Sequence, residues 1–293
     1  MNRKIKAWYQ ASRPPFFIAT FIPLGVGWLL AAKGGEWHPG RMLLVFCGSF
    51  AVHLATNLNN DYFDHVQGTD AGDAIGGSRV IQEGSISPHE ILTVIMILYI
   101  AASAIALFLL FSLRIWGLLP FIIIAFFSSI FYVAPPVRYG YHGLGELFCG
   151  ISMGPVMVIG TYWVIAGQVA LRPLIVSIPI GFMVASILYY QNLPDMDTDR
   201  TAGKRTLAVM LGKNGAFIGF ILSWAIIYGA ITALVFTGIL APVSSLTLAT
   251  IPVFLRLCHI IRKTENWVFL DGYGSYVRIL YFINGLLIMG GVM

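Results

Sequence analysis

Long apolar runs alternate with short polar loops along the whole chain. Nine runs approach the roughly 20 residues that a helix needs to cross a bilayer. They cover 15–32, 42–60, 91–112, 115–133, 145–166, 173–191, 215–237, 240–260 and 276–292. Several contain Gly or Pro, as membrane helices commonly do. No linker or low-complexity stretch interrupts them. The pattern predicts a single domain over 1–293, an all-α polytopic membrane protein with nine transmembrane helices.

Composition agrees. Only 11% of residues are charged and 58% are hydrophobic, whereas a soluble domain carries about 25% charged residues. Mean hydropathy is +0.81. Too little charge remains to cover a water-facing surface, so the chain belongs in lipid. The first apolar run ends at Lys33 without a small-residue cleavage site, and reads as a span that stays in place. The net charge of +5 is spread over short loops without the aromatic-interleaved stripes of a nucleic-acid binder, and no nucleic-acid partner is expected. Cys47, Cys149 and Cys258 lie in apolar surroundings without metal-ligand spacing, which argues against disulfides and structural zinc.

Nine spans place the termini on opposite sides. With the N-terminus inside, only Lys33, Arg41, Arg114 and Arg172 of the 18 Lys and Arg fall outside. The positive-inside rule then puts the N-terminus and the loops after spans 2, 4, 6 and 8 in the cytoplasm. Seven of the eight aspartates fall in two of those loops, Asp61, Asp64, Asp70 and Asp73 after span 2 and Asp195, Asp197 and Asp199 after span 6. The matching positions hint at a duplicated four-helix unit.

In Asn57-Leu-Asn-Asn-Asp61-Tyr-Phe-Asp64, continued helix sets Asn57, Asp61 and Asp64 at i, i+4 and i+7, on one face. In Asn192-Leu-Pro-Asp195-Met-Asp197-Thr-Asp199, the same spacing joins Asp195 and Asp199, with Pro194 placed to open a fresh turn. Carboxylates so close repel unless a cation or protons intervene. Hard Asp and Asn oxygens suit Mg²⁺, which keeps waters and accepts phosphate oxygens as further ligands. Basic residues accompany both clusters: Arg79 after Gly76-Gly77-Ser78, Lys204 and Arg205 after Gly203, and Arg138 in the loop between spans 4 and 5. Such cations can hold the oxygens that a metal leaves free on a diphosphate.

These motifs resemble the UbiA superfamily of intramembrane aromatic prenyltransferases. The resemblance rests on Asn57-x-x-x-Asp61-x-x-Asp64, on Asn192-x-x-Asp195-x-x-x-Asp199-x-x-x-Gly-Lys-Arg-Thr-Leu, on the nine-span layout and on Ser-Arg-Pro at 12–14. Within it, Gly68-Thr69-Asp70, Gly77-Ser78-Arg79-Val80-Ile81, Tyr139-Gly140-Tyr141-His142-Gly143-Leu144-Gly145 and Asp197-Thr198-Asp199-Arg200 look most like the 1,4-dihydroxy-2-naphthoate polyprenyltransferases of menaquinone synthesis. The broader family often has a third Asp where this chain has Gly68, and Asp70 is the candidate for that role.

The resemblance implies nine transmembrane helices around a central cavity and transfer of a prenyl group from a polyprenyl diphosphate to an aromatic acceptor. Asp61, Asp64, Asp195, Asp199 and Asn57 would hold Mg²⁺. Asn57, Arg79, Arg138, Asn192, Lys204 and Arg205 would bind diphosphate, and Tyr139, Tyr141, His142 and Glu146 the acceptor. The diphosphate would leave, aromatic faces would stabilise an allylic cation, and the electron-rich acceptor ring would attack it. The prenyl tail would run toward lipid. For Glu146 a helix-capping role stands beside acceptor contact. His53, one turn before Asn57, reads as packing or as cavity lining, and Gly150-x-x-x-Gly154 as helix packing. The alternatives are 4-hydroxybenzoate or another acceptor of the same enzyme type and, from another class, a divalent-cation transporter. A transporter would want polar groups along its depth, and no run carries a mid-span acid.

The charge bias has a direct test. Cysteines introduced near Asp70 and near Gly203 are expected to react with impermeant maleimide from the cytoplasmic side only; labelling of the two loops from opposite faces would refute the shared site.

Overall fold

Hydrocarbon offers no water to the backbone, so an apolar run must close its N–H and C=O groups on itself as helix. The computed structural model describes residues 3–69 and 76–293, and among them there are helices and no strand. Asp70 and Asp73 lie outside the described residues. In chain order the α-helices are α1 (Arg3–Ser12), α2 (Ile18–Lys33), α3 (Pro39–Gln67), α4 (Pro88–Leu113), α5 (Leu119–Ile130), α6 (Gly145–Ile151), α7 (Met157–Ala166), α8 (Leu171–Gln191), α9 (Met196–Thr201), α10 (Leu207–Phe236), α11 (Ile251–Lys263) and α12 (Gly274–Val292). A π-helical turn at Ser152–Val156, around Pro155, joins α6 and α7 into one run.

Among the described residues, seven helical runs are long and apolar enough to cross a membrane: Pro39–Gln67, Pro88–Leu113, Gly145–Ala166, Leu171–Gln191, Leu207–Phe236, Pro242–Lys263 and Trp267–Val292. The other two of the nine predicted spans are shorter helices. Span 1 is α2, 16 residues, set at 51° to the preceding Arg3–Phe16 segment. Arg13 in a left-handed conformation, followed by Pro14 and Pro15, causes that break. Span 4 is Trp116–Ile130, roughly 22 Å at 1.5 Å per residue against a hydrocarbon core of about 30 Å. Large apolar side chains on the outer face of α4, including Ile97, Ile100, Phe108 and Phe111, are exposed as lipid contact requires.

The largest core joins α2, α8, α10 and α12, with Tyr190, Phe220, Trp224 and Tyr281 fully buried. Small residues let helices meet. A Cβ on Gly154 would stand 2.6 Å from Gly181 Cα and 3.0 Å from Ser177 O, both backbone atoms of α8. The Gly150-x-x-x-Gly154 pattern is therefore helix packing. On the other side of the molecule, α3 runs against α4. At 29 residues, α3 is about 43 Å long. It is therefore longer than the hydrocarbon core of about 30 Å, and its last turns carry Asn57, Asp61 and Asp64. Gly68, at φ 74°, closes it.

The close contact predicts a stability effect. Gly154→Ala must push α8 away, at about 1–3 kcal/mol for an overpacked core. Gly229, on α10 with open space at its Cβ position, should gain about 0.5–1 kcal/mol on replacement by Ala through helix propensity. Thermal unfolding in detergent is expected to move in opposite directions for the two variants.

Candidate active site

A cavity of about 920 Å³ runs into the helical bundle, walled by residues of α1, α3, α4, α5, α7, α8 and α12. One end is polar. Asn57, Asn60 and Asp64 of α3 meet Asn192, Asp195 and Asp199 from the α8–α9 junction there, with Lys204 beside them. The other end is apolar, lined by Leu44, Val45, Ile105, Leu109, Leu118, Phe121 and Val164. Val45 and Asp64 are 19 residues apart on one helix, so the cavity follows α3 for roughly 28 Å.

The second cluster forms as its spacing predicts. Helix α8 ends at Gln191 and the chain turns at Pro194. Helix α9 then restarts, with Asp199 N donating to Asp195 O at 2.8 Å, so the two carboxylates share a face. Two clusters far apart in sequence thus meet at one end of one cavity.

Tyr141 ties the surrounding loops together. Its hydroxyl donates to Asp64 Oδ1 at 2.7 Å and lies 2.6 Å from Thr69 Oγ1. Arg138 and Lys204 stand over its ring at 5.4 and 5.7 Å, a cation–π distance. Its carbonyl accepts from Arg205 N at 3.0 Å. Lys204 Nζ is 3.3 Å from Asp199 Oδ1. Arg138 also donates to Gln67 Oε1 at 2.8 Å.

The remaining predicted residues divide. Asn57 lines the cavity and donates to Ser12 O at 3.1 Å, and Tyr139 lines it with its hydroxyl donating to Ser128 O. Glu146 is buried behind the wall, accepting from Asn192 Nδ2 at 2.8 Å. Asp61 is buried on α3, paired with Arg13 and hydrogen-bonded by Ser78 N and Oγ, and is outside the cavity lining. Arg79 has a left-handed backbone beside that contact. The His142 and Arg205 side chains are exposed.

Burial governs the electrostatics. It pushes the Asp195 carboxyl up to about 6, helped by Asp199 alongside. Burial also raises Asp199 above the usual carboxylate range, against the pull of Lys204. Burial disfavours the charge on Lys204, but Asp199, Tyr132 and Asp64 outweigh it and hold the ammonium charged. The Tyr141 hydroxyl is raised by burial and by the Asp64 charge, so it stays a donor.

The donors fit Mg²⁺. Asp199 Oδ2 and Asn60 Oδ1 are buried without a hydrogen-bond partner among the described residues, and every oxygen offered is hard. Yet no three His, Cys, Asp or Glu side chains among the described residues stand close enough to hold a metal alone. That suits an ion bound through one or two carboxylates, completed by water and phosphate oxygens.

Arg13, Gln10 and Ser78 escaped the sequence reading as site residues. Gln10 Nε2 donates to Ser78 O at 2.7 Å, fixing the loop that carries Ser78 to α1. Asp271 and Arg278 also reach the cavity; each is a charge on or beside the last apolar run, and that was the available signal.

Residues 20–270 match the UbiA prenyltransferase family. The chain is similar to the 1,4-dihydroxy-2-naphthoate octaprenyltransferase of Bacillus subtilis (strain 168), 28% identical over 235 residues, 80% of this chain and 75% of that protein. It is also similar to the 2-carboxy-1,4-naphthoquinone phytyltransferase of Synechocystis sp., 28% identical across 98% of this chain and 92% of that one. Among solved structures, a UbiA homologue from Archaeoglobus fulgidus bound to DMAPP and Mg²⁺ shares the fold, with a TM-score of 0.63 at 16% identity over 96% of this chain and 98% of that one.

Because too few carboxylates meet to hold a metal alone, Mg²⁺ and diphosphate should bind together. Calorimetric titration is expected to show weak Mg²⁺ uptake without pyrophosphate and tight, saturable uptake with it. Lowering the pH from about 7.5 to about 5.5 protonates Asp195 and should weaken the joint binding. Tight binding of Mg²⁺ alone, or pH-independent binding, would contradict this arrangement.

Proposed function

The chain belongs to the UbiA prenyltransferase family and is a prenyltransferase of the membrane, and on that footing we propose that it transfers a polyprenyl group from a polyprenyl diphosphate to 1,4-dihydroxy-2-naphthoate, using Mg²⁺. The observation that carries this reading is the single cavity with carboxylates and a lysine at one end and a long apolar section at the other. A diphosphate with a hydrocarbon tail has the same division. The naphthoate acceptor is supported by the named relatives. We read the two shorter apolar helices, α2 and Trp116–Ile130, as spans as well, with the N-terminus and both Asp-bearing segments cytoplasmic.

In this reading Asp64, Asp195 and Asp199, with Asn57 and Asn192, hold the metal–diphosphate end. Mg²⁺ bound there would supply positive charge to the leaving diphosphate. Lys204 adds a fixed cation at the same end and is itself held by Asp199. Asp61 acts through Arg13: their pairing directs the guanidinium toward the cavity mouth, which Arg13 lines. Arg138 adds a cation over the ring of Tyr141, which orients Asp64. As the carbon–oxygen bond of the donor breaks, the faces of Tyr132, Tyr139 and Phe126 in the wall can stabilise the allylic cation. Glu146 keeps Asn192 in place, and Tyr139, in the cavity wall, belongs to the acceptor side. The acids lining the cavity are Asp64, Asp195, Asp199 and Asp271, and none stands among Leu44, Val45, Ile105, Leu109, Leu118, Phe121 and Val164 at the apolar end, where a cation path would want charge.

Purified protein, given Mg²⁺ and a polyprenyl diphosphate, is expected to prenylate dihydroxynaphthoate with release of CO₂, as identified by mass. Preference for 4-hydroxybenzoate offered in parallel would reassign the acceptor. Asp64→Asn, Asp195→Asn and Asp199→Asn should each lower kcat/KM by at least about 100-fold, the loss of a charged ligand in a transition-state contact. Near-normal turnover in two of them would remove the metal assignment.

A further inference from the structure

His53 lies one turn deeper on α3 than Asn57, on the cavity wall between the diphosphate end and the apolar section. Nothing in the prenyl diphosphate reading uses it. An ionisable side chain placed within a membrane-crossing helix is costly and calls for a reason. The ring is held firmly. Its Nδ1 is 2.5 Å from Thr20 Oγ1, a fully buried hydroxyl on α2. Phe50 stacks with it at 11° between planes, and Phe17 meets it edge-on, with centroids 5.8 Å apart. No hydrogen bond to Nε2 forms within the described residues. Structural packing needs neither an imidazole nor a hydroxyl to orient one. The arrangement is that of a base whose far nitrogen is fixed by a second group.

The position matters as much as the chemistry. Asn57, four residues on, is about 6 Å nearer the mouth, and Asp64 is about 16 Å nearer. His53 therefore sits below the diphosphate and above the tail section, at the level where donor carbon and acceptor ring have to meet.

We propose that His53 Nε2 accepts the proton of the acceptor's ring hydroxyl during attack, with Thr20 as the positioning residue that fixes the imidazole tautomer. The inference rests on the aromatic-acceptor reading and adds a residue to it. With Nδ1–H donating to Thr20, Nε2 presents a lone pair to the cavity. The ring carbon bearing the carboxylate bonds to the prenyl carbon as the prenyl carbon–oxygen bond breaks, and that electron pair leaves with diphosphate. The adjacent hydroxyl becomes a carbonyl, its proton passing to Nε2. Loss of CO₂ then returns an electron pair to the ring, and the imidazolium returns the proton to the oxygen. Atoms and charge balance without a further reactant.

The test compares wild type with His53→Leu and His53→Gln, using dihydroxynaphthoate and the analogue whose hydroxyl beside the carboxylate is a methyl ether. Transfer is measured with each substrate varied. Acceptor binding is measured separately, by naphthoate fluorescence in the presence of Mg²⁺ and pyrophosphate. Wild type should bind the hydroxyl compound about tenfold more tightly than the ether, the worth of one hydrogen bond. His53→Leu should erase that preference, lower acceptor kcat/KM about 100-fold and leave donor KM within about twofold. His53→Gln, with an amide oxygen in place of Nε2, should restore the binding preference without the rate. Both variants should keep the wild-type thermal shift with Mg²⁺ and pyrophosphate, which shows that they are folded. Unchanged acceptor kinetics and preference in His53→Leu, full rate in His53→Gln, or a loss confined to donor KM would overturn the proposal alone. A wild-type protein that binds Mg²⁺-pyrophosphate but neither binds nor prenylates any aromatic hydroxy acid would overturn the aromatic-acceptor reading, and the role of His53 with it.

Discussion

Burying carboxylates at the edge of an apolar bundle is the constraint around which this molecule is arranged. An isolated buried charge costs several kcal/mol after relaxation, and removing one partner of a buried pair exposes that cost. Three of the acids are accordingly answered. Asp64 accepts from Tyr141, Asp199 faces Lys204, and Asp61 meets Arg13 and both donors of Ser78. The partners come from distant stretches of chain, so neutralising the acids also brings α1, α3, the Tyr139–His142 turn and the segment after α9 together. The polar end of the cavity is in this sense a folding determinant as well as a site.

The neutralisation is incomplete in a telling way. Asp199 keeps one buried oxygen unpartnered, as does Asn60, and burial lifts Asp195 and Asp199 above the ordinary carboxylate range. A site satisfied by its own residues would have little left for a cation. This one retains acceptor capacity without three converging acids among the described residues, so on the proposed function its affinity for a cation would depend on a second ligand that brings its own oxygens. That coupling would keep the site quiet until donor and metal are present together.

Legibility from sequence followed locality. The helical runs, the continuation of α3 through Asp61 and Asp64, and the turn at Pro194 all follow from neighbours within a few residues, and the structure has them. Charged residues stand out in a chain that is 58% hydrophobic, which is why both acidic clusters could be found. What escaped were long-range pairings. Arg13 meets Asp61 across 48 positions, directed there by a left-handed turn that no spacing announces. Arg205 and His142 have the right residue type in the right segment, yet their side chains face outward. Helix α2 and Trp116–Ile130 are shorter than a full crossing because Pro14 and Pro15 break the first and the turn at 131–133 ends the second.

Four non-glycine residues in the described chain have positive φ: Arg13, Arg79, Arg114 and Arg138. Arg13 lines the cavity, and Arg138 stands over the ring of Tyr141, which holds Asp64. A side chain in that conformation costs about 1–2 kcal/mol that glycine would not. At Arg13 that cost is outweighed, because the arginine neutralises the buried Asp61 and removing one partner of a buried pair costs about 3–5 kcal/mol. At Arg138, which donates to the neutral Gln67 amide, stability and charge are opposed. A library of this protein sorted only for yield or heat resistance would drift toward glycine at 138. It would return molecules that fold better and have lost a cation beside Tyr141 and Asp64. Selection schemes for this membrane enzyme therefore need a readout at the site itself, because improved folding would report success while it was being dismantled.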